Sequence, residues 1–211
     1  MRALIEVPAL RPFNELSWEA VPSVFENAAV LPFRQAWREN PSPDFRGGEV
    51  RVGWNPAGIW VFAAMTDDRI VTGATGHNQK LWMLGDVFEI FIRDLAGEEY
   101  LEMHTDPHGF WLQLRFPSER TFPQVKARQI KTDDLRVEDR LFQTKARIRE
   151  GGWDVLACVT AVRGRSLRAS FSRYDYSEPG GKPVLSSTSA HREINFHDQT
   201  GWLDFALSDR E

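Results

Sequence analysis

The segment Lys80-Leu-Trp-Met-Leu-Gly-Asp-Val-Phe-Glu-Ile-Phe-Ile-Arg-Asp94 contains a run, Val87–Ile92, that is too apolar for a half-exposed strand. Side chains alternate across a strand, so Glu89 shares one face with Val87 and Phe91, while Phe88, Ile90 and Ile92 take the other. With apolar side chains on both faces, the run is predicted to be a central strand covered on both sides. Glu89 is the misfit, because burying an ionised carboxylate is costly unless it is paired or hydrogen-bonded. Two roles stand open for it. It forms an ion pair with an arginine on the next strand, or it is held in a cleft to accept hydrogen bonds from a ligand's hydroxyls. Trp82, in the loop before the strand, would give such a cleft an apolar wall. An apolar wall with a few placed polar groups is the general form of a small-ligand site. It suits a pyranose, whose C–H faces pack on an aromatic ring while its rim of hydroxyls seeks polar partners.

On either side of this segment the chain alternates short β-type runs with turn residues. Val50–Trp54 and Ile59–Met65 flank Asn55-Pro56-Ala57-Gly58 and read as a hairpin. Tyr100–His104 and Phe110–Phe116 flank Asp106-Pro107-His108-Gly109. Gln143–Arg149 turns at Gly151-Gly152 into Trp153–Thr160, and Leu167–Tyr174, the Pro/Gly-rich loop Ser177–Pro183 and a last strand Trp202–Leu207 follow. No segment sustains a helical period; Pro22–Phe33 comes nearest and is interrupted by Pro22 and Pro32. Roughly ten evenly spaced strands predict an all-β fold with little helix, an antiparallel β-sandwich of jelly-roll or immunoglobulin-like type. Without a low-complexity linker or internal repeat, residues 1–211 are expected to form a single domain, with 1–48 as an N-terminal strand and a long loop.

Composition narrows the function. With 42% hydrophobic and 27% charged residues among 211, the chain is not of the disordered class. Lys plus Arg is 26 against 30 Asp plus Glu, a net charge of −4, which disfavours nucleic acid and anionic membranes as partners. No apolar run approaches the roughly 20 residues of a membrane helix, so no membrane insertion is expected. The N-terminus lacks the apolar core of a signal peptide, being interrupted by Glu6 and Pro8, and by sequence the chain reads as cytoplasmic. The one cysteine, Cys158, lies among Val155, Leu156, Ala157 and Val159 and reads as a core residue. Nucleophile-elbow, phosphate-loop and zinc-protease motifs are absent, and His77, His104 and His108 lack metal-ligand spacing. Trp54, Trp60, Trp153 and Trp202 sit in apolar strands and read as core.

Leu81–Ile92 resembles the Trp…Asp-x-x-Glu-Ile-Phe signature of the family 9 carbohydrate-binding modules, and more closely that of their family 9-like relatives in the DOMON-type sandwich group. Val50–Met65 with Thr66-Asp67-Asp68, the hairpin Tyr100–Gly109, Phe171–Tyr176, and Asn195–Asp198 with Gly201–Phe205 resemble further pieces of that family in the same order. The resemblance implies a β-sandwich that binds a mono- or oligosaccharide without catalysis, often as an accessory to a glycoside hydrolase and often outside the cytoplasm. By position, Trp82 matches the family's first stacking ring and Glu89 its carboxylate, with Glu102 and His104 in the strand that supplies a polar contact. Where the family has a second Trp, this sequence has Phe196-His197. Arg173, beside Tyr174, is either the partner of Glu89 or a donor to hydroxyls. Calcium is common in the family, and Asp67 and Asp68 are the donors the resemblance offers.

Two other readings remain open. One is a glycoside-acting hydrolase using Glu89 with Glu102 or Asp86. The other is a sandwich that binds a protein partner or haem, with Met65, Met83, Met103 and His104 as the axial candidates. Met103 and His104 are adjacent in a strand, point to opposite faces and cannot both ligate one iron.

Overall fold

The computed structural model describes residues 4–15 and 17–209. Two β-sheets face each other. The larger runs, in spatial order, β1 (Leu4–Val7), β12 (Leu203–Leu207), β10 (Ser166–Asp175), β5 (Val87–Asp94), β6 (Tyr100–Thr105) and β7 (Trp111–Phe116). A short β11 (Val184–Ser187) pairs with the end of β10 that β12 leaves free. The smaller sheet runs β2 (Leu31–Pro32), β3 (Gly48–Asn55), β4 (Gly58–Thr66), β9 (Gly152–Val159) and β8 (Phe142–Arg149). The expected all-β sandwich forms, and every named pair is antiparallel except β1 with β12, which run parallel at one edge.

The two-residue period of each strand builds the core. Phe88, Ile90 and Ile92 of β5, Leu101 and Met103 of β6, and Leu167, Ala169 and Phe171 of β10 face Val50, Val61, Met65, Trp153 and Val155 across the sandwich. The Phe171 and Phe88 rings stack 6.2 Å apart. Trp54, Trp60, Trp153 and Trp202 are all buried, as is Cys158, which packs with Trp60 and Phe62 outside the smaller sheet.

The outer face of the larger sheet is also covered, and this positions the site. Val87 and Phe91 of β5, Tyr100 of β6, and Leu112, Leu114 and Phe116 of β7 form a second apolar layer. It is roofed by Phe122, Val125 and Leu135 from the connection after β7, and by Phe196 and Trp202 from the connection before β12. β5 is therefore central and doubly covered, as its composition predicts.

Helix is scarce. Within the Pro22–Phe33 candidate only α1 (Val21–Val24) forms, with proline in its first turn, where the missing N–H costs nothing. A second helix, α2 (Thr121–Lys126), and strand β11 were not evident from sequence pattern. No helix among the described residues is long and apolar enough to cross a membrane. Met65 and Met103 belong to the inter-sheet core and Met83 is 64% exposed, whereas His104 faces the opposite side of the larger sheet. That separation removes the Met–His pair the haem reading needs.

Phe171→Ala takes away the ring stacked on Phe88 and edge-on to Phe205. The expected loss is about 3–5 kcal/mol of unfolding free energy, read from urea denaturation, with the slope of the transition unchanged.

Candidate functional site

On the outer face of the larger sheet, cross-strand register sets Glu89 opposite His104, and Glu102 lies two residues from His104 on the same face. His104 Nε2 donates to Glu102 Oε1 at 2.6 Å and lies 3.4 Å from Glu89 Oε1. All three side chains are buried, with His104 at 0% exposure. Burial presses His104 toward its neutral form, but the charge of Glu89 and the hydrogen bond to Glu102 outweigh it and raise its pKa. Burial likewise works against an ionised Glu102, yet the pull of His197 and the hydrogen bond from His104 hold its carboxyl below the ordinary range. Glu89 has less help. Burial first, and the charge of Glu102 after it, push its pKa up to about 8 against the attraction of His104. Near neutral pH Glu102 is therefore a carboxylate and Glu89 a carboxylic acid, on either side of the same imidazole. Glu89 Oε2 and Glu102 Oε2 have no hydrogen-bond partner among the described residues.

Trp82 stands over this group. It lies in a 3₁₀ turn, Leu81–Met83, whose Leu81 is buried in the outer apolar layer. Gly85 follows at φ 153°, with the Val71 carbonyl so close that any Cβ would collide with it at 2.1 Å. Asp86 then fixes the turn by accepting from the Val71 N–H at 2.6 Å and the Tyr176 N–H at 2.7 Å. The Tyr176 hydroxyl donates to the Trp82 carbonyl at 2.6 Å. The result is an indole set edge-on to the His104 ring at 5.3 Å.

Phe196 and His197 arrive from the connection before β12. The Tyr100 hydroxyl is 2.8 Å from His197 Nδ1, and His197 Nε2 lies 3.6 Å from Glu102 Oε2. The Phe122 ring stacks on His197 at 3.4 Å between centroids. Burial lowers the His197 pKa to about 4 in spite of Glu102, so this imidazole is neutral. Which of Nδ1 and the Tyr100 hydroxyl donates depends on the tautomer of this neutral ring.

These groups surround a cavity of 340 Å³ lined by Trp82, Glu89, Glu102, Phe122, Phe196 and His197, with Tyr174 and Lys126 at its edge. Trp82, Glu89 and the Phe196-His197 pair thus converge, and Glu102 joins them; His104 lies beneath, out of reach of solvent. The wall from α2, Phe122 with Val125 and Lys126, was not anticipated. Its only trace in the sequence is Phe122 and Val125 at helical spacing behind a proline-containing first turn. A larger, shallower depression of 1220 Å³ runs along Pro8–Pro12 and Trp54–Ala57, but no buried acid or histidine faces it. Trp111 is engaged elsewhere, stacked on His77 at 4.6 Å with the Arg140 guanidinium 5.2 Å from its ring.

Arg173 is not part of this cavity. It pairs in register with Phe88, whereas Ser172 is the residue opposite Glu89, so alternation turns Arg173 to the inter-sheet side. There, wholly buried, it donates to the Thr66 carbonyl at 2.6 Å and to Asp67 at 2.9 Å, and reaches Asp175 at 3.2 Å. The reading of Arg173 as a partner of Glu89 or a donor to ligand hydroxyls is thereby corrected.

Asp67 and Asp68 do not act together either. Asp67 is buried on Arg173, while Asp68 is exposed and pairs with Arg46. Asp67, Asp86 and Asp175 do bring oxygens within 4.8 Å of one another. Calcium, however, takes six to eight oxygen ligands. Here Asp67 and Asp175 hold a guanidinium, and both Asp86 oxygens accept backbone N–H groups. The residues present do not fit calcium, because an internal cation already occupies them.

With this geometry in place, comparison with solved structures assigns the fold. The chain has the fold of the family 9 carbohydrate-binding modules. It superimposes on a Bacteroides uniformis protein described as a candidate carbohydrate-binding protein, with a TM-score of 0.71 at 12% identity over 99% of this chain and 100% of that one. A family 9 module from Caldicellulosiruptor kristjanssonii in complex with cellotriose gives 0.68 at 12% identity, covering 99% and 95%. A family 9 module from the same organism in complex with glucose gives 0.65 at 11% identity, covering 99% and 97%. No protein-family profile matches the sequence, and no curated protein matches it.

Arg173→Ala leaves Asp67 and Asp175 buried without their cation, and is expected to cost about 3–5 kcal/mol. Calcium added to the metal-free wild type should leave its melting temperature unchanged; a rise would show that the acidic turn binds it. A second expectation concerns pH. Glu89, Asp86 and Asp175 have folded pKa values raised to about 8, 7 and 6, against unfolded values near 4. Their contribution to stability is complete below pH 4 and is lost as pH rises through 6–8. His197, lowered to about 4 from an unfolded value near 6.5, contributes stability that is present above 6.5 and lost as pH falls toward 4. Between pH 5 and 8 the three raised acids outnumber the one lowered histidine, so the melting temperature in metal-free buffer should fall as pH rises over that range.

Proposed function

We propose that this protein binds a carbohydrate, without catalysis, in the cavity under Trp82. The observation that carries the proposal is the convergence of an indole, two buried acids with unpartnered oxygens, and aromatic walls around a space of sugar-ring size. On this reading the flat C–H face of a sugar rests on Trp82, with Phe122 and Phe196 closing the other sides. Glu102, as a carboxylate, accepts from hydroxyls through Oε2. Glu89, as a neutral acid, both donates and accepts, which suits a hydroxyl that does the same. His104 does not touch the sugar; it holds both acids in place. His197 offers its neutral ring edge. The solved relatives bound to glucose and cellotriose support this class of ligand. Residues 1–211 would act as one sandwich unit, and a glycoside hydrolase acting on the same sugar is the expected partner in carbohydrate catabolism.

A hydrolase reading needs its two acids on opposite sides of a scissile bond. Glu89 and Glu102 come from adjacent strands and approach the same imidazole nitrogen, which suits holding better than cleaving.

Calorimetric titration with glucose, cellotriose and a panel of other mono- and oligosaccharides tests the proposal. Binding of at least one is expected, weakened about tenfold or more by Trp82→Ala, which removes an apolar stacking surface of roughly 1.5–3 kcal/mol. If no sugar binds at millimolar concentration, the proposal fails.

A further inference from the structure

We infer that Glu89, Glu102 and His104, with His197 beside them, form a binding site for a first-row divalent cation at the floor of the cavity. One donor atom from each of the first three lies within 4.8 Å of the others, and all three side chains are buried. Their donors converge on a common point, since His104 Nε2 faces Glu102 Oε1 at 2.6 Å and Glu89 Oε1 at 3.4 Å. His197 Nε2, 3.6 Å from Glu102 Oε2, lies on the same side. Bonds of about 2.0–2.2 Å place neighbouring donors of a tetrahedral ion roughly 3.3–3.6 Å apart. Two of the observed spacings already match. The third is a hydrogen bond that opens when the ion takes the proton's place.

A second observation points to a ligand here independently of the cluster's own hydrogen bonds. Glu89 Oε2 and Glu102 Oε2 belong to side chains only 3% and 7% exposed, both residues line the cavity, and neither oxygen has a hydrogen-bond partner. Buried carboxylate oxygens are seldom left so, because each unmet one forfeits its hydration. Two imidazoles and two carboxylates form a mixed nitrogen and oxygen set. Such a set suits Zn²⁺ and its first-row neighbours rather than calcium or magnesium, which favour oxygen alone. Those four donors fill a tetrahedral shell; a sugar hydroxyl would join the ion as a fifth ligand, a step that rests on the carbohydrate reading, whereas the cation site itself does not.

The test uses the full chain, stripped with chelator and then titrated with Zn²⁺, and separately with Co²⁺ as a spectroscopic probe. One equivalent of Zn²⁺ is expected to bind and to raise the melting temperature. Co²⁺ should show the visible absorption of a four- or five-coordinate ion that Zn²⁺ displaces. Glu89→Gln preserves size and hydrogen bonding but removes a ligand, and should weaken Zn²⁺ roughly tenfold or more. Unfolding of this variant in chelator checks that it folds, and the Co²⁺ spectrum of the wild type needs no variant. No binding, or equal binding by wild type and Glu89→Gln, would overturn the site. Sugar titrations of zinc-loaded and chelator-treated wild type separate the two proposals. Zinc binding with no sugar bound in either state removes the carbohydrate reading alone, and sugar binding with no zinc bound removes the cation site alone.

Discussion

The imidazole of His104, shared by two acids on the covered outer face of a β-sheet, is the interaction on which the cavity depends. Carboxyl groups are stable in so dry a place only if something offsets their lost hydration. Glu102 is compensated by a short hydrogen bond; Glu89, at greater distance, meets the problem by keeping its proton. The two oxygens left over are buried without a hydrogen-bond partner among the described residues, on side chains that line the cavity.

The rest of the architecture keeps that arrangement in position. β5 and β10 are doubly covered, so Glu89 sits on a strand with little freedom to shift. Trp82 is held through its backbone as well as its ring: Tyr176 bonds its carbonyl, Asp86 joins that tyrosine's N–H to Val71, and the indole packs against the outer apolar layer and edge-on to His104. Behind it, Arg173 ties the acidic turn after β4 to the end of β10. An arginine there does internally what a bound metal does in other folds, neutralising neighbouring carboxylates and joining separate loops.

The roof of the cavity gives it its particular shape. Phe122 reaches in from α2 and stacks on His197, so two connections that are distant in the chain meet over the acids. The sandwich supplies a rigid floor and the connections supply enclosure, the usual division between scaffold and loops. The family resemblance led to an expectation of Phe196-His197 opposite Trp82. The structure makes that wall from three aromatic rings, one of them from a helix of six residues.

The strand pattern was legible because the alternation of apolar residues is a local property with a two-residue period. It placed Glu89 on the outer face and, through the doubly apolar run around it, placed β5 at the centre. It also separated Met103 from His104. The same rule applied across β10 would have turned Arg173 away from Glu89; neighbourhood to Tyr174 suggested otherwise, and neighbourhood is a poor guide where successive side chains oppose. Helix α2, strand β11 and the parallel pairing of β1 were hidden, since segments of four to six residues carry too little period to be distinguished from loops. What the sequence alone determined was the sandwich, its central strand and the face on which the acid and the indole lie. The His104–Glu102 contact follows from alternation within one strand, but the approach of Glu89 and His197, the cation that neutralises Asp67 and the rings that close the cavity were decided only by tertiary packing, because those contacts join residues about 15 to more than 100 positions apart, and no local periodicity encodes them.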